Sequence, residues 1–320
     1  MKVVRSLDQL QRDKNSVVTV GTFDGVHLAH REIIREVVNR ARMREGRSVV
    51  VTFDPHPKEV VTSARGAVQL LSTLGERIAL LSRLQVDVLV VIPFTFEFSR
   101  VSAREFYTGY IDGRVGVSEV VVGYDHTFGR DREAGTKDLV ALGRDLDFSV
   151  FAVHPMAVDG EPISSTRIRR ALAAGDVERA ERMLGYPYRM AGTVIRGDGR
   201  GRTLGFPTAN LQPLVVRKQI PGNGVYLVSA TVGETRRYGI MNIGVRPTVS
   251  AGTALVIEVH VLEFSRDIYG ERLEIAFLRR LRDERKFASI AELVEQLGKD
   301  REQALHLISS LSYSPTQSKE

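Results

Sequence analysis

Two glycine-led loops carry the residues of this chain best suited to handling phosphate. In GTFDGVHLAH, Gly21 and Gly25 flank Phe23 and Asp24, and His27 and His30 follow three residues apart on what the apolar spacing predicts to be the first turn of a helix. That spacing puts both imidazoles on one side of the helix. Free backbone N–H groups and the positive end of a helix dipole favour an anion there, and the imidazoles could contact a triphosphate as charge develops during attack. The same residues also fit a tight turn bearing two surface histidines. A zinc pair is weaker, because no third ligand has metal spacing. Further along, ISSTRIRRAL sets Ser164, Ser165 and Thr166 immediately before a helical run with Arg167, Arg169 and Arg170. Taken singly this is a capped helix with a solvated face. Beside the histidine loop it is a second helix start, with hydroxyls and guanidinium forks able to hold outer phosphates.

The second loop, GTVIRGDGRGRTLGFPTANL, packs five glycines between two strand-like pieces and interleaves Arg196, Arg200 and Arg202. Glycines let backbone amides close around phosphate, but the Lys and Ser/Thr ending of a Walker loop is missing. Thr208 and Asn210 stand two residues apart and so project to the same side of an extended chain. A hydroxyl and an amide oxygen in that arrangement suit Mg²⁺, which takes few protein oxygens and leaves places for phosphates. A Gly-rich turn entering a strand is the plainer alternative. In IEVHVLEF, Glu258 alternates with Ile257 and Val259. A carboxylate so placed can take the proton of an attacking alcohol, although a solvated edge-strand Glu reads the same way.

The elements that must position these groups fall into two textures. Up to about residue 185, the β-branched runs SVVTV, SVVVTF, VDVLVVIPF, SEVVVGYD and FSVFAVHPM alternate with helical patterns, the first from about Ala29 to Arg44. This predicts a doubly wound parallel sheet, with GTFDGVH, TFDPHP and GYDHTFG converging at its carboxyl edge. After Gly185, Gly, Pro and Thr punctuate short alternating segments (GTVIRG, NGVYLVSATVG, YGIMNIG, ALVIEVHVLEF), the pattern of an antiparallel barrel or sandwich. Helical spacing returns from Ser289 to about Leu311, and the tail SYSPTQSKE reads as frayed. The linker is expected near GYPY, residues 185 to 188, which divides the chain into 1–185 and 186–320.

Composition narrows the function classes. The 320 residues suggest two domains, and 43% apolar with 26% charged residues is ordinary for globular proteins. There is no cysteine, so disulfides, thiolate zinc sites and cysteine nucleophiles are excluded and a cytoplasmic enzyme is the expectation. The charged amino terminus and the lack of long apolar runs speak against secretion and membrane spanning. The net charge of +6 is uneven: 26 basic against 25 acidic residues up to 185, then 19 against 14. No polybasic run or aromatic–cation alternation supports a nucleic-acid platform, and small anionic ligands fit better.

GTFDGVHLAH together with ISSTRIR resembles the nucleotidyltransferase superfamily, whose signature is His, any residue, Gly, His. TFDPHP and VVGYDHTFG narrow the resemblance to the adenylyltransferase module of the bacterial bifunctional riboflavin kinase and FMN adenylyltransferase (FAD synthetase) family, over residues 15 to 185. That resemblance implies a Rossmann-like α/β domain in which FMN attacks the α-phosphorus of ATP and pyrophosphate leaves. His27 and His30 would stabilise the triphosphate, Ser165, Thr166 and Arg169 would hold its outer phosphates, and Gly21, Phe23 and Asp24 would belong to the nucleotide loop. Asp125 would lie near the flavin. The chain departs from the pattern at Ala29, where the family has glycine, and at His126, where an aromatic residue is frequent.

From about residue 187 to 305, GRTLGFPTANL, GVYLV, MNIGVRPT, IEVHVLEFSRDIYG and RDERKF resemble the riboflavin kinase module in the family's order. This implies a six-stranded antiparallel barrel with C-terminal helices, transferring the γ-phosphoryl of ATP to the ribityl 5′ hydroxyl of riboflavin. Thr208 and Asn210 would bind Mg²⁺ and nucleotide, Gly197 and Arg202 would border the phosphates, and Tyr269 would lie near the nucleotide. Glu258 would be the base, with Arg282, Arg285 and Phe287 on the flavin side. The partners implied are riboflavin, FMN and ATP, with no nucleic acid and no membrane; oligomeric state stays open. The competing readings are a riboflavin kinase whose first domain is degenerate or specific for another nucleotide, and a non-catalytic flavin- or nucleic-acid-binding regulator.

Overall fold

The structure, a computed structural model, describes residues 1–61, 68–124, 127–128, 134–197, 201, 204–247 and 253–312, with the backbone alone at 127–128, 246–247, 253–254 and 311–312. The chain forms two compact units, Met1–Ser165 and Thr166–Glu320.

The first unit is built on six parallel strands: β1 (Lys2–Val4), β2 (Ser16–Val20), β3 (Arg47–Asp54), β4 (Val88–Pro93), β5 (Glu119–Gly123) and β6 (Ser149–Val153). Their order across the sheet is β1-β4-β3-β2-β5-β6. All five strands read from the sequence are present. The sixth, β1, was not anticipated, because it is three residues long and only Val4 is buried. Continuous apolar runs form these strands because the sheet is covered on both faces. On one face Val18, Val20, Val49 and Val51 pack with Phe106, Tyr107 and Ile111 of a wide-turned helix, Phe106–Val115. On the other, Val50, Leu89 and Val91 meet Ile34 and Val38 of α1 (Leu28–Met43) and Leu81 of α2 (Leu74–Ser82). Each fully buried valine of this kind stabilises the unit by about 1.5–3 kcal/mol. Chain order reverses between β2 and β5, so the loop after β2 opens at the switch point where parallel sheets bind ligands. Helix α3 (Thr136–Leu146) precedes β6.

The second unit opens with α4 (Ser165–Ala173), whose first residue belongs to the first unit, and α5 (Val177–Leu184). It continues as a closed antiparallel barrel of β7 (Arg189–Ile195), β8 (Ala209–Pro213), β9 (Gly224–Val232), β10 (Thr235–Pro247), β11 (Thr253–Val261) and β12 (Arg272–Arg282), in the order β7-β8-β11-β10-β9-β12. Helix α6 (Ile290–Ser312) ends the described chain. Ser289 accepts from the Glu292 amide at 3.2 Å, capping α6 as its position suggested; the tail beyond 312 lies outside the described residues. Helices α4 and α5 are fastened to the barrel. The Gly222 amide donates to the Leu172 carbonyl at 2.8 Å, Arg280 donates to the Ala174 carbonyl at 2.5 Å, and Arg279 pairs with Glu181 at 3.3 Å. Gly185 closes α5 with φ 74, a left-handed cap.

Candidate active sites

In the first unit, the segment from Gly21 to His27 turns through three left-handed residues, Phe23 (φ 46), Gly25 (φ 82) and Val26 (φ 37). For bulky Phe and β-branched Val this backbone is strained, by about 1–3 kcal/mol each, and persists only if its surroundings impose it. Asp24 is the clamp that does so. Its buried carboxylate accepts from the Leu71 amide at 3.0 Å, the Ser72 amide at 2.8 Å and the Ser72 hydroxyl at 3.1 Å, while Ser72 Oγ accepts from the Gly25 amide at 2.8 Å. Gly21 donates to the Val51 carbonyl at 3.0 Å, and a methyl there would press the Phe23 ring at 3.1 Å.

Behind the loop lies Arg77, 2% exposed. Its Nη1 donates to the Thr22 carbonyl (2.9 Å), the Thr52 hydroxyl (2.9 Å) and the Phe53 carbonyl (3.1 Å), tying the first loop to the second. Burial pulls its guanidinium below its usual range, with Asp24, Asp54 and Glu59 opposing. The second loop runs through a cis Asp54–Pro55 peptide to His56, which accepts from the Lys58 amide at 3.1 Å. Of the third expected loop, Asp125, His126 and residues 129–133 lie outside the described residues.

His27 and His30 come together as their spacing predicts, their rings stacked at 3.5 Å between centroids and 16° between planes. His27 Nδ1 caps α1 by accepting from the His30 amide at 3.3 Å, so its own proton sits on Nε2. His30 Nδ1 is buried without a hydrogen-bond partner in the structure. Burial, the His27 ring and Arg77 hold the His30 imidazole well below its ordinary pKa. It is therefore a neutral N–H donor at physiological pH. Ala29 lies in the first turn of α1, where helical backbone accepts a methyl readily. Helix α4 begins at Ser165 rather than after Thr166. The Ser165 hydroxyl donates to the Asp24 carbonyl at 3.1 Å, which is a tie to the histidine loop and not a cap of its own helix. Thr166 and Arg169 follow on the same helix.

In the second unit, three polar residues stand abreast across β8, β11 and β10: Asn210 opposite Glu258, and Glu258 opposite Asn242. Opposed residues of antiparallel strands project to one face, so this row is continuous. Ile257 and Val259 are buried on the other face, and β11 is paired on both sides, so Glu258 is not on an edge strand. Gly197 lies against the Asn210 amide, and the Cα of Gly201 faces Thr208, whose Oγ1 a methyl would approach to 3.1 Å. Tyr269 is stacked by the Arg196 guanidinium at 5.6 Å, beside the same glycine segment. Arg202 lies outside the described residues.

Arg282 commits its fork to Asp300, 1% exposed on α6, at 2.8 and 2.7 Å. Gln296 donates to the same carboxylate at 2.7 Å and accepts from Arg285. Arg285 and Arg282 lie over the Phe287 ring at 4.8 and 5.9 Å, and a cavity of about 220 Å³ opens beside Arg285, Phe287 and Gln296. A larger cavity, about 420 Å³, sits at the amino ends of β5 and β6 and holds none of the expected site residues. Among the described residues no cluster of three or more His, Cys, Asp or Glu is built to hold a metal, and no helix is long and apolar enough to cross a membrane.

Sequence reading missed Arg77, Ser72, Asn242, Asp300 and His260. Asn242 and His260 carry the signal that revealed Glu258, alternation between apolar Met241 and Ile243 and between Val259 and Val261; Arg77, Ser72 and Asp300 have none locally.

A parallel nucleotidyltransferase-like sheet followed by a closed antiparallel kinase barrel defines a transferase of two modules. Residues 9–167 match the FAD synthetase family and residues 184–308 the riboflavin kinase family. A bifunctional riboflavin kinase/FMN adenylyltransferase from Listeria monocytogenes is 40% identical over 91% of each chain. One from Escherichia coli K12 is 35% identical over 94% of this chain and 96% of its own. A crystal structure from Streptococcus pneumoniae, described as a macrolide-efflux protein, is 34% identical with a TM-score of 0.83, covering 94% of this chain and 97% of that one. The chain belongs to the bifunctional riboflavin kinase/FMN adenylyltransferase family, and it is an enzyme with both of those activities.

Proposed function

We propose that residues 186–320 phosphorylate riboflavin and residues 1–185 adenylylate the resulting FMN, each with its own ATP, in the cytoplasm and without nucleic-acid or membrane partners. In the barrel, the ribityl 5′ oxygen attacks the γ-phosphorus; an O–P bond forms, the bond to the β-phosphate oxygen breaks, and Glu258 receives the hydroxyl proton. Thr208 and Asn210 hold nucleotide and Mg²⁺, with Gly197 and Arg202 bordering the phosphates and Tyr269 at the nucleotide rim. The donor set fits that ion: a hydroxyl and an amide oxygen, in a cradle that a methyl at Gly197 would fill, leave most positions to phosphate and water. Bound there, Mg²⁺ supplies charge neutralisation of the triphosphate. Arg285 and Phe287 face the flavin, with Arg282 held behind them by Asp300.

In the α/β module, an FMN phosphate oxygen attacks the α-phosphorus of ATP and pyrophosphate leaves. His27 and His30 donate N–H groups to the triphosphate, that of His30 from a neutral ring, which suits a site already carrying the positive end of α1. Ser165, Thr166 and Arg169 hold the outer phosphates, Gly21, Phe23 and Asp24 shape the loop, and Asp125 lies by the flavin. The observation that supports the reading is the row Asn210–Glu258–Asn242, in which the residue proposed as base stands opposite the one proposed to bind nucleotide. The test is product analysis on the full chain. Thr208→Ala is expected to stop FMN formation from riboflavin while supplied FMN is still converted to FAD; His27→Ala is expected to do the reverse. Either variant blocking both products equally would refute the division of labour.

A further inference from the structure

We infer that His260 is a positioning residue of the kinase site, acting through the Pro207 carbonyl to orient Thr208. His260 follows Glu258 by two residues on β11 and therefore projects from the same face. The β8–β11 ladder pairs Asn210 with Glu258 and Ala209 with Val259; one step further, Thr208 would stand level with His260. The backbone ladder stops before that step, and a side chain takes it over. His260 Nδ1 lies 2.8 Å from the Pro207 carbonyl oxygen. A carbonyl only accepts, so Nδ1 carries the proton.

The consequence for Thr208 follows from planarity. Pro207 O and Thr208 N belong to one rigid peptide plane, so fixing the oxygen fixes the plane from which the Thr208 side chain departs. The proline ring locks the preceding φ, leaving little other freedom. Phe206 meets the His260 ring edge-on, at 5.6 Å and 69°, and its amide donates to the Gly201 carbonyl at 2.9 Å. One strand thereby carries both Glu258 and the group that sets the angle of Thr208. The chain supplies few ligands to the nucleotide and its metal, so the orientation of each carries weight, and outer groups that aim a ligand typically contribute about 10–100-fold.

This inference rests on Thr208 as a ligand of the nucleotide and its metal, and the experiment separates the two. Riboflavin phosphorylation is measured on the full chain at varied ATP with saturating magnesium, then at varied riboflavin, for Thr208→Ala and for His260→Ala, His260→Asn and His260→Gln. The KM for riboflavin and a thermal melt of each variant report the folding of the barrel, and FAD formation from supplied FMN by the same preparations reports the first module. His260→Ala is expected to raise the KM for ATP by about tenfold or more, with the KM for riboflavin and the FAD-forming rate unchanged. His260→Asn, whose amide nitrogen sits at the same bond separation from Cβ as Nδ1, is expected to restore most of the loss; His260→Gln is not. A normal His260→Ala beside a defective Thr208→Ala, or equal defects in all three His260 variants, overturns the inference. An unimpaired Thr208→Ala overturns the underlying reading and the inference with it. Should His260→Ala fail to fold, the contrast between Asn and Gln decides alone.

Discussion

Gly197 lies so close to Asn210 that a methyl group on its Cα would occupy the space of the Asn210 amide nitrogen. The glycine is therefore required by contact and not by a special dihedral, since 197 is absent from the left-handed residues. Gly197→Ala is expected to push the amide off its place and lower riboflavin kinase kcat/KM by about 10–100-fold, a shift typical of a misaimed ligand. FAD formation from FMN by the same chain should be untouched. Steady-state rates of both reactions check this, and a parallel loss in both would show a folding defect instead.

Glu258→Gln keeps the shape of the row across β8, β11 and β10 but cannot take a proton. The kcat for riboflavin phosphorylation should fall by about 10²–10⁴, the usual contribution of a general base, with FAD formation retained. A variant with the parent's kcat would remove Glu258 from the chemistry.

Arg77 is the buried tie between the first two loops of the sheet's carboxyl edge. Arg77→Ala removes the donor shared by the Thr22 and Phe53 carbonyls and the Thr52 hydroxyl and leaves Thr22 and Thr52 only their bond to each other, at a cost of about 1–3 kcal/mol to the first unit. Denaturant titration should show that loss, and FMN adenylylation should drop while riboflavin phosphorylation persists.

The pH dependence follows from His30. Its folded pKa lies well below the ordinary 6.5, first through burial. Between those two values the unfolded chain binds a proton that the folded chain refuses, so stability is full above about 6.5 and declines as pH falls towards the folded pKa. Denaturation midpoints measured from about pH 7 to about pH 5 should decline more steeply in the parent than in His30→Gln, which has no proton to take up. Identical slopes would assign the decline to other groups.

Asp300→Asn should loosen the grip of α6 on the barrel, because Arg282 loses its buried counter-charge. A melting-temperature drop is expected together with a raised KM for riboflavin and an unchanged KM for ATP, since Phe287 and Arg285 are arranged through that pair.

Much of this was legible in the chain itself, for physical reasons. Strands buried on both faces must be apolar throughout, which is why SVVTV and SVVVTF announced β2 and β3. Glu258 stood out because a carboxylate between Ile257 and Val259 has to face away from them. The three-residue spacing brought His27 and His30 to one side, although His27 caps α1 from an extended backbone instead of lying on its first turn. Other contributions depend on register and on distant partners. Arg77 meets Thr22 from 55 positions away, and His260 meets Pro207 from 53; Arg77 carries no local mark, and the alternation that puts His260 on the face of Glu258 does not name its partner. The resemblance assigned Asp24 to the nucleotide loop, and only the fold reveals that its carboxylate is engaged by the Leu71 and Ser72 amides.

The fastening of α4 and α5 to the barrel governs how the polypeptide can be divided by protease or by cloning. A fragment starting at residue 186 would begin with the Gly222 amide, the Arg279 side chain and the Arg280 side chain stripped of the partners that Leu172, Glu181 and Ala174 provide. One starting at residue 166 keeps them all. Truncates intended to retain kinase turnover in isolation are best begun ahead of these two helices.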